Sequence, residues 1–167
     1  MPVAKIAWWL GLAALIVALD QATKFWITQV LRFGETVVVT SFFNLVLVYN
    51  PGAAFSFLSD QSGWQRWFFV ALALAVSAWL VALIRRHARE LWIPLAASLI
   101  LGGALGNVID RVVFGAVIDF IQWHVGGYYW PAFNVADSAI TVGVVLLLWD
   151  QFGSRSSAGR TGAAERR

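Results

Sequence analysis

WFFVALALAVSAWLVALI, residues Trp67–Ile84, contains no charged side chain. RRHARE (85–90) follows it, and then LWIPLAASLILGGALGNVI, Leu91–Ile109, again without charge. Each uncharged run is close to the roughly 20 residues a helix needs to cross about 30 Å of hydrocarbon. The stretch therefore reads as two membrane spans joined by a short basic loop. Pro94 falls in the first turn of the second span, where proline is tolerated.

Two more spans flank this pair. Ile6 to Leu19 is uncharged, and apolar character resumes through Trp26 around Asp20 and Lys24. A cleaved signal peptide is the competing reading of this run. It is disfavoured because no small-x-small site follows cleanly and three more spans come later. Asn134 to Trp149 is interrupted only by Asp137. The expected spans are 6–27, 67–84, 91–110 and 134–150, in one membrane domain over 1–152. Outer loops cover 28–66 and 111–133. The tail, 153–167, is rich in Ser, Gly, Ala and Arg and is expected to be disordered.

Composition agrees. Hydrophobic residues make up 60% and charged residues 13%, with a mean hydropathy of +0.72. A soluble domain carries about 25% charged residues, so this chain has too little charge to solvate its surface. Ten Trp and twelve Phe suit the headgroup zone. The net charge of +3 does not indicate nucleic-acid binding, because the basic residues cluster where membrane orientation needs them. Lys5, the Arg85, Arg86 and Arg89 loop, and the tail arginines share one side, which the positive-inside rule makes cytoplasmic. Both termini are then inside. With no cysteine, disulfides, thiol catalysis and cysteine metal sites drop out together.

The outer connections are more than linkers. Thr36–Thr40 and Phe42–Tyr49 are strand-like by composition, and Asn50-Pro51-Gly52 reads as a turn. Residues 112–130 are unusually apolar and should lie on the membrane or pack against the bundle. The fold class is thus an all-α integral membrane protein of four transmembrane helices, with a small β-rich outer (periplasmic) subdomain.

The intramembrane polar residues converge near the outer face. Asp20 and Lys24 end span 1, Asn107, Asp110 and Arg111 end span 3, and Asn134 and Asp137 begin span 4. Asn50 and Asp119 sit in the outer loops. Charge at such depth is costly and needs a partner. Asp20 and Lys24 are four residues apart and are expected to pair structurally. Asn107 and Asp110 fit a structural clamp and a site equally well. His87 lies among cytoplasmic arginines and His124 on the outer side, so a histidine-based zinc site is disfavoured, as is a Ser-His-Asp triad. Carboxylates remain. Asp119 and Asp137 both sit in apolar surroundings, where two carboxylates cannot easily both ionise and can share acid and base roles. On the residues alone, a hydrolase and a proton- or ion-coupled transporter are equally supported.

Five segments carry a resemblance: Asp20-Gln-Ala-Thr-Lys24, Asn50-Pro-Gly-Ala-Ala-Phe55, Gly102-Gly-Ala-Leu-Gly-Asn107-Val-Ile-Asp110-Arg111, Val117-Ile-Asp119-Phe-Ile121 and Phe133-Asn134-Val-Ala-Asp137-Ser138. In this order, in a four-span chain, they strongly resemble the lipoprotein signal peptidases, or signal peptidase II. The resemblance covers about residues 5–152. It implies an aspartyl endopeptidase of the bacterial inner membrane, with its active site near the periplasmic face. Such an enzyme cuts prolipoproteins just before the diacylglyceryl-modified lipobox cysteine. It implies Asp119 and Asp137 as the catalytic pair and Asn50, Asn107, Arg111 and Asn134 as substrate-binding or supporting residues. Asp20, Lys24 and Asp110 would be structural. No metal or other cofactor is implied, and the expected partners are the lipidated precursor and membrane lipids. Inhibition by the cyclic peptide globomycin and a monomeric state are further expectations.

Overall fold

The structure is a computed structural model that describes residues 2–52 and 63–164, with side chains from 3 to 152 within those ranges. Ala53, Ala54 and Phe55 of the second motif lie outside the described residues.

The element order is α1 (Pro2–Val30), β1 (Thr36–Val38), β2 (Phe43–Asn50), α2 (Trp64–His87), α3 (Trp92–Phe114), β3 (Val117–Val125), β4 (Tyr128–Tyr129) and α4 (Val135–Ala164). All four helices are long and apolar enough to cross a membrane. The strands form one antiparallel sheet in the order β1-β2-β3-β4. Four helices of spanning length and one small antiparallel sheet are therefore the fold.

Several helices run past the expected ends. α3 continues to Phe114 and stops at Gly115, whose φ of 82° is left-handed and whose N–H donates to the Arg111 carbonyl at 3.1 Å. Glycine adopts that conformation without the Cβ penalty, so it commonly ends helices. Gly63, at φ 101°, precedes α2 in the same backbone region. The backbone of α4 remains helical to Ala164, well beyond the expected 150 and into the stretch read as disordered. Once a helix is nucleated, each further residue adds a hydrogen bond at little cost.

α3 is the central helix: 56% of its span is buried, against 17–22% for the others. Its glycines make this possible. A Cβ on Gly102 would lie 2.7 Å from the Ala13 carbonyl of α1. One on Gly103 would run into the Ala136 carbonyl of α4, and one on Gly106 would sit 2.5 Å from Asp20 Oδ2. Without a hydrophobic force between helices in lipid, close backbone approach drives their packing. Gly106→Ala should therefore destabilise by about 1–3 kcal/mol, the usual cost of overpacking. Thermal unfolding in detergent checks this, and an unchanged midpoint would refute the tight fit.

Two apolar clusters bracket the bundle. The first joins Trp9, Ala13, Leu80, Ile84, Ala88, Ala97, Ile100 and Leu101. The second joins Ile27 and Leu31 of α1 to Leu47, Ile118 and Phe120 of the sheet. The apolar connection between α3 and α4 thus packs against the bundle through β3. It leaves Trp123, Val125, Tyr128 and Trp130 exposed. Between the clusters lies a layer of buried polar side chains.

Candidate active site

α1 brings Asp20, Gln21 and Lys24 into this layer, all from its C-terminal half. Lys24 is 1% exposed and Asp20 is fully buried. The Lys24 ammonium lies 2.8 Å from Asp20 Oδ2 and 2.7 Å from Asp110 Oδ2 on α3. Its third N–H donates to Asn107 Oδ1 at 3.0 Å. All three ammonium protons are used, as a buried charge requires. Asp110 also accepts the Ile118 N–H at 3.1 Å, fixing the start of β3 to α3. Gln21 donates to Asp110 Oδ1 at 2.9 Å and to Asp20 Oδ2 at 3.2 Å.

α4 opens on a capping box. Asn134 stands just before the helix, and its Oδ1 accepts the Asp137 N–H at 2.8 Å. Asp137 Oδ2 in turn accepts the Asn134 N–H at 3.3 Å. Reciprocal bonds of this kind satisfy two of the orphan donors of a helix start. A third is met from across the bundle, because Ala136 N–H donates to Asp20 Oδ1 at 2.9 Å. Asp137 is held further by the Asn107 amide, Nδ2 to Oδ1 at 2.8 Å.

Asp119 comes from β3, where it pairs with Val48 of β2. Its Oδ1 accepts Asn134 Nδ2 at 2.7 Å, and its Oδ2 accepts Asn50 Nδ2 at 3.2 Å. Asn50 is steadied by the Gly52 N–H at 3.0 Å. Thus the single residue Asn134 bonds both Asp119 and Asp137. Asp119 is 2% exposed, while Asp137 is only partly buried. Burial, then the charge of Asp137, pushes the Asp119 carboxyl up to about 7, against the opposing pull of the Asn50 and Asn134 donors and of Lys24.

Arg111 links the layer to the outer turn. It donates to the Asn107 carbonyl at 3.3 Å and to the Gly52 carbonyl at 2.8 Å, with its guanidinium 5.1 Å from the Phe69 ring centre. Its buried Nε has no hydrogen-bond partner among the described residues.

Asn50, Asn107, Asp110, Arg111, Asp119, Asn134 and Asp137 therefore meet in one network with Asp20 and Lys24. The two histidines lie outside it: His87 is 2.8 Å from Glu90, and His124 stacks on Tyr129. Sequence reading gave no role to Gln21, although it stands inside the first motif. It also passed over the Asn134-x-x-Asp137 spacing, a visible sign of a capping box. The Asp20 bond to Ala136 had no local sign, since the two are 116 residues apart.

These contacts give the expected structural role of Asp20 a test. Asp20→Asn keeps an oxygen for Ala136 but weakens the hold on Lys24. Removing one partner of a buried pair costs about 3–5 kcal/mol, reduced here because Asp110 remains. Folded yield should fall more than turnover per folded molecule. A variant that accumulates normally yet cannot turn over would move Asp20 into the chemistry.

A family model described as signal peptidase (SPase) II matches residues 12–153. The lipoprotein signal peptidase of Azoarcus sp. (strain BH72) is 57% identical over 143 residues, covering 86% of this chain and 81% of that protein. That of Cupriavidus taiwanensis is 59% identical over 143 residues, with the same 86% and 81% coverage. A bacterial membrane enzyme solved by the in meso method at 2.3 Å superposes with a TM-score of 0.81 and 35% identity, covering 90% of this chain and 91% of that one.

Proposed function

The chain belongs to the signal peptidase II family, and from that premise we propose that it is an aspartic endopeptidase that cuts lipidated prolipoproteins just before the lipobox cysteine. Membership itself supports a multi-pass membrane protease that removes signal peptides from prolipoproteins. The observation that carries the finer reading is that Asn134 bonds both Asp119 and Asp137.

The two carboxylates are not equivalent. Asp137 stands in the first turn of α4, where the helix dipole favours negative charge. It accepts from Asn107 and from the Asn134 backbone. In this reading Asp119, pushed up to about 7 by burial and by the charge of Asp137, is assigned the proton. Asp137, ionised and partly exposed, takes a proton from water, and the water oxygen attacks the scissile carbonyl carbon. Asp119 donates its proton to the carbonyl oxygen. The tetrahedral intermediate then collapses: the C–N bond breaks, Asp137 returns its proton to the departing cysteine nitrogen, and Asp119 recovers its own from the hydroxyl. Acid–base assistance of this kind is worth about 10²–10⁴-fold. Arg111, whose guanidinium holds the Gly52 carbonyl at 2.8 Å, is assigned a substrate-binding or supporting role beside the pair.

A lipidated substrate reaches such a layer laterally from the bilayer, so the cut lies near the membrane surface. The distribution of Lys and Arg supports both termini in the cytoplasm and the polar layer near the periplasmic face of the inner membrane. Labelling of a cysteine introduced at Gly126 from outside tests this orientation; the companion position Asp60 lies outside the described residues. Globomycin-type inhibition and a monomeric state complete the reading.

The test of function is single-turnover cleavage of a diacylglyceryl-modified precursor by the purified protein. Release of the signal peptide is the expected result. No cleavage of a modified precursor, with proton flux across proteoliposomes instead, would favour the transporter reading.

A further inference from the structure

Lys24 is bonded to Asp20 and Asp110, and those bonds account for its burial. They do not account for its third contact, the 3.0 Å bond to Asn107 Oδ1. Asn107 is the residue whose amide nitrogen bonds Asp137 at 2.8 Å. The two ends of one amide thus face an ammonium and a carboxylate.

That arrangement is directional. An ammonium can only donate, so the oxygen of Asn107 must turn to Lys24 and its NH₂ to Asp137. The flipped amide would set two donors against each other at one end and two acceptors at the other. Asn134 Nδ2, 3.3 Å from the same oxygen, supports the observed orientation. A cation behind the amide also polarises its N–H groups, which strengthens the bond to Asp137.

Asp119 has no such backing. Its donors are Asn134 Nδ2 and Asn50 Nδ2. Among the described residues, the oxygens of those two amides accept the neutral backbone N–H groups of Asp137 and Gly52. Among the described residues the pair is therefore asymmetric at the second bond out: Asp137 has a donor backed by the Lys24 cation, and the donors to Asp119 are backed by neutral N–H groups.

We infer that Lys24 is a positioning residue for catalysis, which acts through the Asn107 amide to keep the negative charge of the aspartate pair on Asp137 and the proton on Asp119. The inference rests on the acid–base reading of that pair. It goes beyond a purely structural role for the Asp20–Lys24 pair. The other charged groups of the layer do not duplicate it. Asp20 of α1 and Asp110 of α3 are themselves bonded to Lys24. Arg111 of α3 donates to backbone carbonyls at Asn107 and Gly52. Arg66 of α2 is turned to the Val112 carbonyl at 2.6 Å. Among the described residues, Lys24 is the cation that reaches a carboxylate of the pair through a single side chain.

The experiment is the pH profile of single-turnover cleavage, normalised to folded protein, for Lys24→Met and for Asp20→Asn/Lys24→Met. The double variant removes one negative and one positive charge together and keeps an oxygen for the Ala136 N–H, so it remains folded if the single variant does not. Without the ammonium, Asn107 is free to turn its oxygen toward Asp137, and the proton moves there. The acidic limb of the profile should rise by about one pH unit or more, the usual effect of losing a nearby opposite charge. The maximal rate should fall about 10-fold or more, with KM within about twofold, because the wrong member of the pair is ionised. A merely structural lysine would lower the active fraction equally at every pH and leave both limbs in place; that result overturns the inference. Turnover surviving in Asp119→Asn or Asp137→Asn would instead overturn the aspartate reading. The two failures are thus told apart by which variants keep their activity.

Discussion

Asp119→Asn and Asp137→Asn should each reduce single-turnover cleavage of a lipidated precursor by about 10²–10⁴-fold, the value of general acid–base assistance. An amide has nearly the shape of a carboxyl but cannot take a proton from water or cycle between acid and base. On the proposed mechanism the two side chains act as one unit, so the double variant should be little worse than either single one. The replacements carry a modest structural cost. Asp119 accepts from both Asn50 and Asn134, and an amide offers one acceptor where the carboxyl offered two. An unpartnered buried donor costs about 1–3 kcal/mol, so thermal unfolding must accompany each rate. Asp110→Asn is the control. Asp110 is bonded to Lys24, Gln21 and Ile118 rather than to the pair, and its variant should keep some turnover. Near-normal cleavage in either Asp119→Asn or Asp137→Asn, in folded protein, would falsify the aspartate mechanism.

The second large effect is on pH. Asp119 must be protonated to act as the acid, and its carboxyl is raised to about 7 by burial and then by the charge of Asp137. Turnover should therefore fall as pH rises through about 7, by roughly tenfold for each further unit. The same shift makes a statement about stability. A carboxyl raised in the fold stabilises it in its protonated form. That contribution is complete below the ordinary value of 3.8 and is lost as pH rises through about 7. Asp119→Asn should remove this pH dependence from the unfolding midpoint, whatever its effect at a single pH. Removing the charge of Asp137 should lower the Asp119 value, because that charge is its second-largest cause. A titration of Asp119 that is unchanged in Asp137→Asn would show that the two do not interact.

Much of this molecule is legible in its sequence. The charge-free runs and basic loop mark the spans, because lipid rejects charge wherever it goes unpaired. Gly115 ends α3 in a conformation glycine favours, and that boundary was available to a closer reading. The strand-like segments around Thr36 and Phe42 do pair as β1 and β2. What sequence cannot carry is registration between distant segments. Nothing near Gly106 announces that Asp20 will press against it. The irregular pairing between Leu45 and Val48, opposite Ile121 and Asp119, depends on how β2 meets β3. The network itself was visible only as a list of costly polar residues at one depth; which atom bonds which is a property of the folded layer.

The shared cap of α4 has a consequence for biogenesis. Asp137 is oriented by a helix start whose second N–H is satisfied by Asp20, a residue near the other end of the chain. Asp119 is reached through Asn134 at that same helix start. A nascent chain holding only its first three spans has neither carboxylate in its final setting. The last span completes the network only by docking against the first, across the glycine face of the third. On the proposed aspartate mechanism, a partly inserted protein exposes no competent acid–base pair to passing peptides, and proteolytic competence arrives with completed assembly.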